Sequence, residues 1–127
     1  MGRATYEEIL GFDIPWPYPE QRCVVFSSGQ PETKSPNTAV ISKIDRKVIR
    51  QLKEESEKDL WLVGGGKVIS EFLKLRALDE MIITVIPRLL GHGIPLFPEG
   101  SYESELQLHH HRIVKNGVVI LHYHLQR

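Results

Sequence analysis

Cysteine is nearly absent: Cys23 is the one cysteine in 127 residues. That excludes an internal disulfide and any cysteine-rich zinc site. Flanked by Val24 and Val25, Cys23 reads as a buried structural thiol. An excess of charge is also missing, since 16 Lys and Arg stand against 16 Asp and Glu. Net charge therefore supports no nucleic-acid partner and no membrane surface. No apolar run approaches the roughly 18 residues that span a bilayer, and no signal peptide is visible. Cytoplasm is the expected location. The chain lacks a G-x-G-x-x-G fingerprint and a G-K-[ST] phosphate loop. It lacks internal repeats, low-complexity stretches and a paired acid and base, and Ser27 and Ser28 have no nucleophile-elbow context. What is present is an ordinary soluble composition, 41% hydrophobic and 25% charged. A single domain of this length buries roughly two-thirds of its unfolded surface without a staple.

Helix and strand signals alternate along the first two-thirds of the chain. Thr5–Leu10 is a short helix with Thr5 as a candidate cap, stopped by Gly11. The three prolines at 15, 17 and 19 forbid regular structure there. Arg22–Ser27 and Thr38–Ser42 are compact apolar strands. Asp45 caps a helix in which Val48, Ile49 and Leu52 form the buried stripe, with Ile44 stapled against Ile49. Asp59–Val63 is a third strand. Lys67–Leu75 is a helix with Val68, Ile69, Phe72 and Leu73 inward, and Glu80–Ile86 is a further strand. Leu89–Pro98 is an ordered loop. Glu105–Lys115 and Val118–Leu125 flank Asn116-Gly117, a strong hairpin signal. This order implies an α/β sandwich with a mixed, mostly parallel sheet and a C-terminal antiparallel hairpin.

Three short segments have the chemistry of an anion cradle. Gly64-Gly65-Gly66 joins an apolar run to a helix start, where free N–H groups and a dipole favour a phosphate. Lys67, a cation opposing that dipole, is better explained with an anion nearby. Gly2, Arg3 and Thr5 cluster at another helix start, and Ser27-Ser28-Gly29 closes a strand with hydroxyls. Each alone is weak: a tight turn explains the glycines equally well, an N-terminal arm explains the second cluster, and a post-strand turn is the favoured reading of the third. Together they are more telling, because ligands of open α/β sheets collect at the carboxyl ends of strands.

The histidines form a second pattern. A two-residue turn at Asn116-Gly117 pairs His109 with His124 and His111 with His122, placing all four on one face. Such a face could hold zinc. The favoured reading is a polar, solvent-facing surface with no metal assigned, its reverse carrying Leu106, Leu108, Val114, Val119, Leu121 and Leu125. A one-residue bulge would destroy the alignment. Asp79-Glu80 reads as a solvated cap.

Met1-Gly2-Arg3-Ala4-Thr5-Tyr6-Glu7, Val24-Val25-Phe26-Ser27-Ser28 and Leu60-Trp61-Leu62-Val63-Gly64-Gly65-Gly66 resemble the dihydrofolate reductase superfamily. The stretch from Leu78 to Phe97, with Thr84-Val85-Ile86-Pro87-Arg88-Leu89-Leu90-Gly91-His92-Gly93, is more specific. It is similar to the bacterial and archaeal branch that includes the C-terminal reductase domain of riboflavin biosynthesis. The resemblance implies an NADPH-binding fold and hydride transfer to a pterin or pyrimidine-like substrate. It implies that Gly2, Arg3 and Thr5 contact the cofactor's phosphates. Ser27 and Ser28 would lie near the adenosine 2′-phosphate. Gly64-Gly65 would match the family's tight, often cis, peptide, and Gly65, Gly66, Lys67 and Val68 would receive the pyrophosphate.

One departure bears on activity. In that family roughly forty residues precede the arginine motif, which here begins at residue 1. Those residues supply a central strand and a substrate-facing helix, so no catalytic residue carries over. The expectation is therefore a longer chain, or a homodimer partner that covers the gap. The alternative function is a non-catalytic nucleotide-binding or dimerisation remnant of the fold.

Overall fold

The computed structural model describes residues 1–127 except Glu32, Lys34, Ser101 and Arg127. In chain order the elements are α1 (Arg3–Leu10), β1 (Cys23–Phe26), β2 (Thr38–Ile41), α2 (Arg46–Glu55), α3 (Gly66–Lys74), β3 (Glu80–Val85), β4 (Leu106–Ile113) and β5 (Val119–Leu125). A 3-10 turn, Lys115–Gly117, joins the last two strands. The fold is α/β. β1 and β2 pair in parallel, from Cys23 opposite Thr38 to Phe26 opposite Ile41. The other three strands form an antiparallel sheet in the order β3-β5-β4.

Two apolar clusters hold the helices on the parallel pair. Phe26, Ile49, Val68 and Phe72 draw β1, α2 and α3 together, with Ile44, Val48 and Leu52 packed against them. The edge-to-face contact of Phe26 and Phe72, 6.1 Å between centroids, is a favoured aromatic geometry. Met1, Tyr6 and Val25 seat α1 on the other side of β1. Asp45 is the cap of α2, accepting from the Val48 N–H at 2.8 Å. That bond holds its carboxyl below the usual aspartate value. Cys23 is buried, and burial pushes its thiol up, as a structural cysteine requires.

Three local expectations change. α1 starts at Arg3 with Gly2 as its cap, so Thr5 lies inside the first turn rather than before it. Gly2 takes that place because its amide is tied to another loop. Asp59–Val63 forms no strand, although its apolar pattern is right. A strand exists only where a neighbour completes its ladder, and this segment instead lends Leu62 to one cluster and Val63 to the other. The β4–β5 connection is one residue longer than a two-residue turn: the Val114 N–H donates to the Val118 carbonyl at 2.9 Å, and Asn116 and Gly117 both have positive φ. β4 also lies exposed along its length, Leu106 and Leu108 included.

No helix among the described residues is long and apolar enough to cross a membrane.

Candidate functional site

The three glycine- and hydroxyl-bearing segments meet at the carboxyl end of β1. The Phe26 N–H donates to the Met1 carbonyl at 2.9 Å, and the Gly2 N–H donates to the Gly64 carbonyl at 2.8 Å. Gly2 also forms a parallel bridge with Phe26. The start of α1 is thus clamped between the end of β1 and the glycine turn.

The approach is close enough that a side chain at any of three glycines would crowd a neighbour. A Cβ on Gly2 would lie 3.0 Å from Val68 Cγ2, one on Gly65 3.2 Å from Thr5 Oγ1, and one on Gly29 3.1 Å from Arg3 Nη1. Gly2, Arg3, Thr5, Gly29, Gly65 and Val68 therefore share one small region. Gly64 has φ +119, with open space where its Cβ would be. Only glycine adopts that conformation without strain. The Gly64–Gly65 peptide is cis.

Two helices begin here. The first α1 bond runs from the Tyr6 N–H to the Gly2 carbonyl, and the first α3 bond from the Ile69 N–H to the Gly65 carbonyl. The N–H groups of Gly66, Lys67 and Val68 precede that first α3 bond and point out of the helix start. Neither first turn contains an acidic residue. No acidic side chain there offsets the positive ends of the two dipoles, the setting that favours an anion. Arg3 adds a full charge, its Nε bonded to Glu7 Oε1 at 2.8 Å, with both side chains about half exposed.

Not every residue singled out from sequence is equally available. Ser27 is buried, and its Oγ accepts from the Gly29 N–H at 3.2 Å. It closes the turn that presents the exposed Ser28. Lys67 is exposed on the first turn of α3. Gly66 is a packing position, since a Cβ there would meet Pro98 Cγ at 2.8 Å. The loop through Pro95 and Pro98 thus closes one side of the turn. An open hollow of about 440 Å³ lined by Arg22, Ser35, Asn37, Thr38 and Ala39 lies at the opposite, amino ends of β1 and β2.

The sequence missed one partnership. Glu80, expected to be a solvated cap, lies on β3 beside two histidines of β5, and His122 Nε2 is 2.7 Å from Glu80 Oε2. That bond is the main cause that holds the Glu80 carboxyl below the usual glutamate value. Only tertiary pairing reveals it, because Glu80 and His122 are far apart in sequence.

Comparison with known proteins places this geometry in a family. The profile of the RibD C-terminal domain matches residues 18–120. The uncharacterised protein YwjB of Bacillus subtilis (strain 168) is 37% identical over 108 residues, covering 85% of this chain and 62% of YwjB. A second protein of that organism, YyaP, is 36% identical over 76 residues, covering 60% of this chain and 40% of YyaP. The chain thus spans less than two-thirds of either relative. A crystal structure from Shewanella sp. PV-4, described as a candidate riboflavin biosynthesis protein, superimposes with a TM-score of 0.88 at 31% identity. It covers 100% of this chain and 72% of that one. A pyrimidine reductase-like protein of Corynebacterium diphtheriae NCTC has a TM-score of 0.60 at 21% identity over 82% of this chain and 49% of its own. The last shares the fold.

Proposed function

The chain belongs to the RibD C-terminal domain family, and from that premise we propose that it is a reductase-like protein that binds NADPH at the junction of β1, α1 and α3. The observation that carries this reading is the side-chain-free cradle at Gly2, Gly29, Gly64 and Gly65, open to two helix N-termini. A pyrophosphate needs close backbone approach and N–H donors, which that cradle supplies. Gly65, Gly66, Lys67 and Val68 would hold the pyrophosphate, with Gly64 shaping the turn. Gly2, Arg3 and Thr5 would add the second helix start and a guanidinium. Ser28, presented by Ser27, would lie by the adenosine 2′-phosphate. When bound, NADPH supplies a hydride for a pterin or pyrimidine-like acceptor. The residues named here bind and orient, and none is assigned a proton-transfer step.

A cytoplasmic homodimer accompanies this reading. The support for the dimer is the exposure of Ile82, Ile86, Leu89, Leu90 and Ile94, with Leu89 100% and Ile94 97% exposed. Surfaces of this kind mark interaction sites. The same exposure supports a second reading, a non-catalytic nucleotide-binding or dimerisation module.

Isothermal titration with NADPH, and with NADH as the control lacking the 2′-phosphate, tests the cofactor assignment. The expected result is saturable binding of NADPH in preference to NADH. No heat with NADPH or NADP removes the assignment. Loss of NADPH absorbance on adding pterin or pyrimidine acceptors separates the enzyme from the non-catalytic module.

A further inference from the structure

The exposed face of the β3-β5-β4 sheet gathers three imidazoles and a carboxylate that the nucleotide cradle does not use. In the β3–β5 ladder Glu80 stands opposite His124, and Ile82 opposite His122. Side chains alternate along a strand, so His122 and His124 share a face with Glu80. Glu80 Oε2 is 2.7 Å from His122 Nε2, and Glu80 Oε1 is 3.8 Å from His124 Nε2. One donor atom from each of these residues lies within 4.8 Å of the others.

β4 contributes the third imidazole through an irregularity. From Ile113 back to His110 the strand pairs in one register, and from Leu108 back it pairs in another, leaving His109 as the extra residue. Bulges of this kind re-aim a side chain. The His109 ring stacks on His124 at 4.4 Å between centroids, and it meets His122 edge-on at 5.5 Å. His122 and His124 are 5.6 Å apart, so the three rings form a compact triangle. The longer turn breaks the expected pairing of His111 with His122, leaving His110 opposite His122, and the bulge then brings His109 into the group.

We propose that Glu80, His122 and His124, with His109 as a fourth donor, form a binding site for a divalent transition-metal ion of the Zn²⁺ type. Imidazole and carboxylate donors suit Zn²⁺, and a site rich in nitrogen does not suit Mg²⁺ or Ca²⁺. Donors around a tetrahedral zinc at ~2.0–2.1 Å stand ~3.3 Å from one another. The two Glu80 distances bracket that spacing, so small side-chain rotations bring the Glu80, His122 and His124 donors to it, and His109 would turn out of its stack on His124 to supply the fourth. The hydrogen bond between Glu80 and His122 spans the place the ion would take. Because the donors come from β3, β4 and β5, the ion would tie together the three strands of a sheet whose β4 is exposed throughout.

The test uses the full chain, purified without a polyhistidine tag and stripped with a chelator. ZnCl₂ is titrated in competition with a chromophoric chelator, and thermal melting is followed with and without the ion. One Zn²⁺ per chain and a raised melting temperature are expected. Glu80→Gln and His124→Ala should each weaken binding by about tenfold or more, and His122→Ala with His124→Ala should abolish it. CoCl₂ should give the intense visible bands of a tetrahedral ion. Substoichiometric uptake by the native chain overturns the proposal. So does uptake that persists in the double variant, since His92, His110 or His111 would then hold the ion. Should the double variant not fold, Glu80→Gln and His109→Asn, checked by circular dichroism, decide the matter: unchanged affinity in both overturns the site.

Discussion

The amide of Gly2 donates to the carbonyl of Gly64 at 2.8 Å, so the first turn of α1 and the glycine turn before α3 are one structural unit. Two helix N-termini face the same opening as a result. Disturbing either glycine acts on both.

Gly64→Ala should therefore destabilise the fold. At φ +119 an alanine is strained although no neighbour lies within 4 Å of the Cβ position. The expected cost is about 1–3 kcal/mol, read as a lower midpoint in chemical denaturation with an unchanged slope. A variant as stable as the native chain would contradict the conformational argument.

Gly66→Ala tests packing rather than conformation. Its Cβ would fall 2.8 Å from Pro98 Cγ and 3.1 Å from Pro98 Cδ. A proline ring cannot swing aside as a flexible chain end does, so the loop must move. Overpacking of this kind costs about 1–3 kcal/mol, and limited proteolysis should reveal earlier cleavage within residues 93–100.

Arg3→Ala separates stability from binding. The Arg3–Glu7 pair is exposed on α1, and such pairs contribute about 0–1 kcal/mol. Melting should hardly change, whereas NADPH affinity should fall by roughly tenfold or more, the value of a charged hydrogen bond to phosphate. Titration calorimetry on both proteins measures the difference. Equal affinities would remove Arg3 from the cradle.

Tyr6→Ala should be among the most damaging substitutions. Tyr6 is 0% exposed, meets Trp16 edge-on at 5.5 Å and bonds to Ser35 Oγ at 2.8 Å. Removing a buried aromatic ring costs about 3–5 kcal/mol. Tyr6→Phe keeps the ring and should lose about 0.5–1.5 kcal/mol. Denaturant titration of the two variants gives the ratio.

Asp45 links stability to pH. Its carboxyl is held below the ordinary value of 3.8 by the Val48 N–H. A lowered folded-state value means that the cap stabilises fully above 3.8 and fades as pH falls through the lower folded value. The melting-temperature gap between the native chain and Asp45→Ala should be open at neutral pH and narrow below 3.8. A gap that does not change with pH would mean that the carboxylate's charge has no part in the cap.

Local chemistry was readable without coordinates. Asp45 before Val48-Ile49 specified a cap and a buried stripe, because both depend on residues a few positions apart. The Asn116-Gly117 hairpin was likewise legible as a turn, but its length was not. One extra loop residue and one bulge at His109 each moved the register by a step, and together they changed which histidines meet. The apolar run Asp59–Val63 carried a strand pattern and found no ladder, because pairing belongs to the neighbour as much as to the segment.

The sequence by itself determined the three helices and the five strands that form, though not the failure of Asp59–Val63 to pair, together with the glycine positions and the residue types fit for an anion, since propensity, capping and backbone freedom are local properties. The tertiary structure alone decided that Gly2, Gly29 and Gly65 converge within a side chain's width of Thr5, Arg3 and Val68. It alone set Glu80 against His122 and turned His109 toward both histidines of β5. Those placements rest on strand register and on packing between segments far apart in the chain, where a shift of one residue moves a side chain to the other face.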